Sequence, residues 1–190
     1  MLSVEIPTLR TERLILRAPT LEDSAPFMAF IRSDRARFVG GHRDLPERYA
    51  VRAFGHIAGL WVLRGYSSFV VEDADSGRAL GLVGPWFPQA WPEPEFSWSL
   101  WHADAEGRGF VAEAMATIMP WFWDRTGLTT AISVIDEDNY GSIRVAERLG
   151  AVLDEATTET VNLPGSVFHE PEGARALVYR HHAAQGREAA

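Results

Sequence analysis

The sequence predicts an α/β (α+β) fold: a single mixed sheet of about seven strands with helices packed on both faces. Three observations carry that expectation. The chain has 190 residues, 46% hydrophobic and 23% charged, which suits one domain over 1–190 with a sizeable core. Its apolar spacing switches repeatedly between the period of strands and that of helices. Read in order, the segments run β-α-α-β-β-β-α-β-α-β-β, and helices interleaved with strands in this way bury their apolar faces against one sheet.

Residues 13–17 read RLILR, a short apolar run suited to a strand. Thr20 is a candidate N-cap with Glu22 and Asp23 in the first turn, and Leu21, Ala25, Met28 and Ile31 recur at helical spacing. A second helix is expected over 46–63, with Val51, Phe54, Ala58 and Trp61 on one stripe and Pro46 in the first turn. Residues 67–71 and 79–86 read as a hairpin around the turn chemistry of 73–77. Pro85, Pro88, Pro92 and Pro94 delay the next strand to Glu95. From there Phe96, Trp98 and Leu100 alternate with Ser97, Ser99 and Trp101.

Residues 109–125 form a strongly apolar helical segment that Pro120 is expected to kink or interrupt. Residues 129–135 are β-branched and apolar, hence a buried strand. Residues 139–149 are an amphipathic helix that Gly150 stops at the C′ position. Two last strands are expected over 152–161 and 174–182, and the tail from about 183 to 190 is expected to fray.

Composition excludes several chemistries. There is no cysteine, which removes thiolate nucleophiles, disulfides and Cys-ligated zinc. There is no lysine either, so neither a Schiff-base lysine nor a phosphate-loop lysine is available. The net charge of -8 disfavours nucleic acid and suits a cationic partner such as an amine. No apolar run reaches membrane-span length and the N-terminus shows no secretory pattern, so no membrane partner and a cytoplasmic location are expected. The six histidines show no metal-ligand spacing, and no metal is expected. His42 and His169 fall in loops where they either line an acceptor pocket or are simply solvated.

Two runs carry chemistry. Glu106, Gly107, Arg108, Gly109, Phe110 and Val111 lie between a strand and a helix. Glycines there let the backbone approach a ligand, and free N–H groups at the helix start favour an anion; a tight turn without a ligand uses the same residues. A dinucleotide-binding loop is disfavoured, because Ala112 stands where its third glycine belongs. In the second run Asn139 is a good N-cap, with Ser142 on the same side one turn on, which also serves simple capping.

Together these runs resemble the GNAT superfamily of acetyl-CoA-dependent N-acyltransferases, in the branch containing the ribosomal-protein-alanine N-acetyltransferases. That branch opens with T-E-R-L-x-L-R, matched by TERLILR at residues 11–17. Its loop G-x-G-[YF]-A-x-E-A is matched by GRGFVAEA at 107–114, with Val111 for the usual small residue. Its helix N-x-x-S-x-x-[LV]-x-x-[KR]-[LM]-G is matched at 139–150.

The resemblance implies a mostly antiparallel sheet splayed between the fourth and fifth strands, with the cofactor in the gap. It implies that the main chain of Gly107, Arg108, Gly109, Phe110 and Val111 holds the pyrophosphate of acetyl-CoA, the cosubstrate. Leu100 and Trp101 are expected to offer backbone groups to the pantetheine arm and acetyl carbonyl. Asn139 is expected to bond the pantetheine, and Ser142 to protonate or stabilise the leaving thiolate. Glu106 stands where Gln or Arg is usual, and its carboxylate is expected to point away from phosphate. The resemblance implies an amine acceptor; a homodimer is a further expectation for the assembly.

A general base is also needed. Glu95 leads the strand beside the acetyl group, where burial among Trp91, Phe96 and Trp98 would raise its pKa; a strand-edge carboxylate in solvent is the plainer alternative. Trp86, Trp91 and Trp98 are expected on the acceptor side. A catalytically silent acyl-CoA binder and a nucleotide-binding regulator are the competing functions.

Overall fold

The structure is a computed structural model that describes residues 5–169 and 173–183. Among these residues eight strands form one sheet. They are β1 (Leu9–Arg10), β2 (Leu14–Arg17), β3 (Phe69–Asp73), β4 (Ala79–Trp86), β5 (Glu95–Leu100), β6 (Thr130–Asp136), β7 (Val152–Leu153) and β8 (Ala176–His182). The helices are α1 (Ser24–Ile31), α2 (Glu47–Arg64), α3 (Phe110–Thr126), α4 (Tyr140–Arg148) and α5 (Glu155–Val161). The sheet order is β1-β2-β3-β4-β5-β6-β8-β7, antiparallel throughout except for the parallel pair β5 and β6.

Strand alternation divides the core between the two faces. Val70 and Leu82 pack with Phe27, Phe30, Phe54 and Ile57 of α1 and α2. Val71, Val83 and Phe96 turn the other way, onto Ala114, Met115, Ile118 and Phe122 of α3. Among the described residues no helix is long and apolar enough to cross a membrane.

Most expected elements stand within a few residues of their sequence positions, and four corrections have physical causes. The expected strand 152–161 is only the pair Val152–Leu153, followed by α5. Asp154 accepts the Thr157 N–H at 3.0 Å and its hydroxyl at 2.8 Å. This N-cap overrides the β-propensity of the valine and threonines that follow. Pro120 does not interrupt α3, which runs unbroken from Phe110 to Thr126. Both Pro120 and Ala116, whose carbonyl the proline leaves unpaired, are exposed, so water can satisfy that carbonyl.

Thr20 caps a 3-10 turn, Leu21–Asp23, ahead of α1 rather than the helix itself. The strand expected at 67–71 begins at Phe69, because the buried Ser67 and Ser68 hydroxyls bond carbonyls of Ile57 and Pro85. Elsewhere the local signals act as expected: Gly150 follows α4 at φ 81°, the left-handed C′ conformation. The tail beyond 183 lies outside the described residues.

Candidate active site

The site begins where β5 and β6 part. They share a single registered pair, Glu95 with Ile132, and the Ile132 N–H donates to the Pro94 carbonyl at 3.0 Å. Beyond it two side chains stand in for ladder bonds. The Val134 N–H donates to the Glu95 carboxylate. The Ser133 hydroxyl donates to the Phe96 carbonyl at 2.6 Å and lies 2.9 Å from His181 Nε2. Burial pushes His181 down to about 4, so it is neutral at pH 7 and can donate to that serine.

Past this apex the strands diverge. The Trp101 N–H turns toward β4, donating to the Leu80 carbonyl at 2.8 Å. Alternation therefore turns the N–H groups of Trp98 and Leu100 toward the gap. Trp101 itself keeps neither backbone group free, since its carbonyl accepts from Arg35 at 2.6 Å. The Leu100 carbonyl accepts from the same guanidinium at 3.1 Å. Of the two residues expected to face the pantetheine, Leu100 retains a free N–H, and Trp98 offers a second.

Glu95 is buried at the apex. Desolvation pushes its carboxyl up to about 7, against the opposing hydrogen bonds from Trp91 and the Val134 N–H. The Trp91 indole donates to Glu95 Oε2 at 2.5 Å. Trp91 packs edge-to-face on Trp86 and Phe168, with ring centroids 6.4 and 4.9 Å away. Only this part of the expected aromatic surround lies beside Glu95. Phe96 and Trp98 point to the opposite face, because adjacent residues of a strand cannot share one.

The loop before α3 holds Gly107 and Gly109 at φ 72° and 79°, conformations that penalise any side chain. The first helical bond runs from the Glu113 N–H to the Gly109 carbonyl at 3.0 Å. The N–H groups of Phe110, Val111 and Ala112 thus have no intrahelical partner and point with the dipole's positive end out of the helix. A cavity of about 900 Å³ opens there, lined by Arg13, Gly107, Arg108 and Gly109, and it runs along α3 to Arg148 at the end of α4. Its lining joins the glycine loop to the outer face of α3 and does not include Glu95, Leu100, Asn139 or Ser142, so the cavity meets the expected cofactor residues only at the loop.

Glu106 does not line that cavity; its carboxylate pairs with Arg35. The carboxylate is thus neutralised by a partner 71 positions earlier in the chain. Val111 buries its side chain in the core and offers only its backbone to the loop.

The N-terminal motif proves to be the loop's support. Glu113 accepts from the Thr11 hydroxyl at 2.5 Å and from the Arg13 N–H and Nε at 2.9 and 2.7 Å. Arg13 also donates to the Arg108 carbonyl at 3.2 Å, and both arginines stack on the Phe110 ring at 4.7 Å. Sequence reading had no means to see this clamp, since its halves lie about 100 positions apart.

Across the gap, Asn139 caps α4 by accepting the Ser142 N–H at 3.2 Å, and its side-chain NH2 is not used in the cap. The Ser142 hydroxyl accepts from the Trp98 indole N–H at 3.1 Å. Trp98 was expected among the acceptor-side tryptophans and instead lies under α3 and α4. His42 is exposed, and His169 is tied by Nδ1 to the Asn162 carbonyl at 2.8 Å.

Residues 13–152 match the family described as the acetyltransferase (GNAT) domain. An acetyltransferase from Agrobacterium tumefaciens is similar over 96% of this chain and 98% of its own, with 33% identity and a TM-score of 0.79. A Bordetella pertussis protein assigned to the GNAT-family acetyltransferases is 25% identical over 92% of this chain and 99% of its own, with a TM-score of 0.72. The ribosomal L7/L12 alpha-N-protein acetyltransferase RimL, solved with coenzyme A, shares the fold at 19% identity over 94% of this chain and 98% of its own, with a TM-score of 0.65. No curated protein matches the sequence.

Proposed function

The chain belongs to the GNAT acetyltransferase family, and from that premise we propose that it acetylates a primary amine by direct attack on acetyl-CoA, both substrates being bound together. The observation that carries this reading is Glu95: a buried carboxyl with its pKa pushed up to about 7, at the apex of the gap between β5 and β6.

A primary amine is mostly protonated at pH 7, so a base must take a proton before or during attack. The amine nitrogen bonds to the acetyl carbon, and the C–S electron pair leaves on sulfur. One proton of the ammonium goes to Glu95, directly or through one water, before attack; the second leaves nitrogen for solvent as the tetrahedral adduct collapses, and the thiolate is protonated from solvent. The N–H groups of Trp98 and Leu100 are the donors available to the oxyanion, and the Ser142 hydroxyl is the donor available to sulfur. Without cysteine no cysteinyl acyl-enzyme forms, which favours the ternary route. Trp86 and Trp91 beside Glu95 suit an acceptor with a flat or apolar group next to its amine.

Free-thiol release from acetyl-CoA, followed across a panel of N-terminal peptides and small amines, tests the reading. Turnover on at least one amine is expected. Thermal stabilisation by coenzyme A with no thiol release on any amine would favour a silent binder.

Glu95→Gln provides the sharper check. In the wild type kcat/KM should rise with pH through about 7, as Glu95 loses its proton and becomes a base. The variant should lose that limb and fall on the order of 100-fold at neutral pH. Stability runs the other way. A carboxyl held at about 7 when folded and 4.5 when unfolded stabilises the fold below 4.5, and that contribution is lost as pH rises through about 7. Glu95→Gln never ionises, so relative to wild type it should melt higher at pH 8 than at pH 4.5. An acidic limb that survives in the folded variant would place the base elsewhere.

A further inference from the structure

Trp98 sits on β5 with its backbone turned to the gap and its ring on the opposite face of the strand from Glu95. The ring packs against two clusters at once, the one under α3 and the one holding Ile135, Ala146 and Tyr179 beside α4. That double contact fixes the indole plane. From it, Nε1–H donates to Ser142 Oγ at 3.1 Å, between residues 44 positions apart. Ser142 is held from its other side as well, its N–H donating to Asn139 Oδ1 at 3.2 Å.

The chemistry of the pair is one-directional. An indole N–H only donates, so it occupies a lone pair of the serine oxygen and can never accept the hydroxyl hydrogen. A serine bonded in this way must send its own hydrogen elsewhere. The donor also stabilises the oxygen as that hydrogen is drawn toward an acceptor, since bonds in a chain polarise one another.

We propose that Trp98 is a positioning residue for the transfer step: its indole N–H holds Ser142 so that the serine hydroxyl donates to the departing coenzyme sulfur. The proposal rests on the role given to Ser142 above and adds a residue that the motif match does not assign. No bond to Trp98 forms or breaks. The C–S pair leaves on sulfur, Ser142 keeps its proton while donating to that charge, and the thiolate takes its final proton from solvent.

The test is a double-mutant cycle in single-turnover kinetics, so that acetyl transfer and not product release is measured. Trp98→Phe keeps an aromatic ring in the packing and removes the N–H. With Ser142 present it should slow transfer about 3- to 10-fold, the scale of one hydrogen bond, with unchanged acetyl-CoA affinity. In a Ser142→Ala background the same substitution should cost nothing further.

An equal loss in both backgrounds would mean that Trp98 acts by packing alone, and the proposal fails. Wild-type transfer in Trp98→Phe would overturn it as well. Wild-type transfer in Ser142→Ala overturns the serine's role first and the proposal with it, which separates the two failures. If Trp98→Phe melts without cooperativity, genetically encoded 3-benzothienylalanine at position 98 keeps the bicycle and lacks only the N–H. The same slowing is expected from it, and a wild-type rate would sink the proposal.

Discussion

Gly109→Glu is expected to weaken coenzyme A binding beyond ready detection while the chain stays folded. Gly109 is the N-cap of α3 at φ 79°, and a Cβ built there meets only an Arg13 guanidinium nitrogen, at 3.8 Å. Space therefore does not forbid a side chain; conformation and charge do. The left-handed backbone costs an L-residue about 1–2 kcal/mol, which should lower the melting temperature by several degrees. The carboxylate then lies at the mouth of the cavity beside Gly107 and Arg108, before the N–H groups that would otherwise face a pyrophosphate. It occupies the anion position and repels a second anion. Calorimetry should show affinity weakened by at least about 100-fold, the combined effect of losing helix-terminus donors and adding a like charge. Gly109→Ala carries the same backbone strain without the charge and should bind within about 10-fold of wild type. Unchanged affinity in a folded Gly109→Glu protein would remove the cofactor from this loop.

Ser142→Ala is expected to lower kcat by about 10- to 1000-fold, the range for losing one donor to a charge that develops in the transition state. The C–S electron pair departs on sulfur, and a thiol that titrates near 8.5 is mostly protonated at pH 7, so a donor stabilises the charge until a proton arrives. Ser142 is suited to that by its environment rather than by acidity. Its oxygen accepts from Trp98 at 3.1 Å and its backbone is pinned to Asn139, leaving the hydroxyl hydrogen uncommitted among the described residues. The Asn139 cap does not use the serine hydroxyl, so alanine keeps α4 and leaves acetyl-CoA affinity nearly unchanged. A wild-type kcat under rate-limiting chemistry would mean that water or another group serves the thiolate.

These expectations draw unequally on the sequence. The cap at Asn139, the stop at Gly150 and the alternation from Glu95 are local signals, and each is found in place. Burial raises the proton affinity of Glu95, but of the three aromatic neighbours expected around it only Trp91 touches the carboxyl, and its indole hydrogen bond opposes the rise. Strand parity from Glu95 already assigns Phe96 and Trp98 to the other face, so they cannot surround its carboxyl.

What the sequence hides is non-local. The gap between β5 and β6 is a loss of pairing between strands some thirty positions apart, and no periodicity reports it. The clamp of Thr11 and Arg13 on Glu113, and Arg35 on Glu106, join segments whose meeting depends on the sheet order. Family resemblance identified the clamped residues as motif members without saying that two motifs touch. At α5 a four-residue cap outweighed β-branched composition, a competition that composition alone cannot decide.

Amide hydrogen exchange, measured with and without coenzyme A, tests the central placement directly. A cofactor lying in the gap with its pyrophosphate on the α3 loop should slow exchange at Trp98 and Leu100 and across residues 107–112. Protection confined to other segments, in a protein that coenzyme A nonetheless stabilises against heat, would contradict that placement.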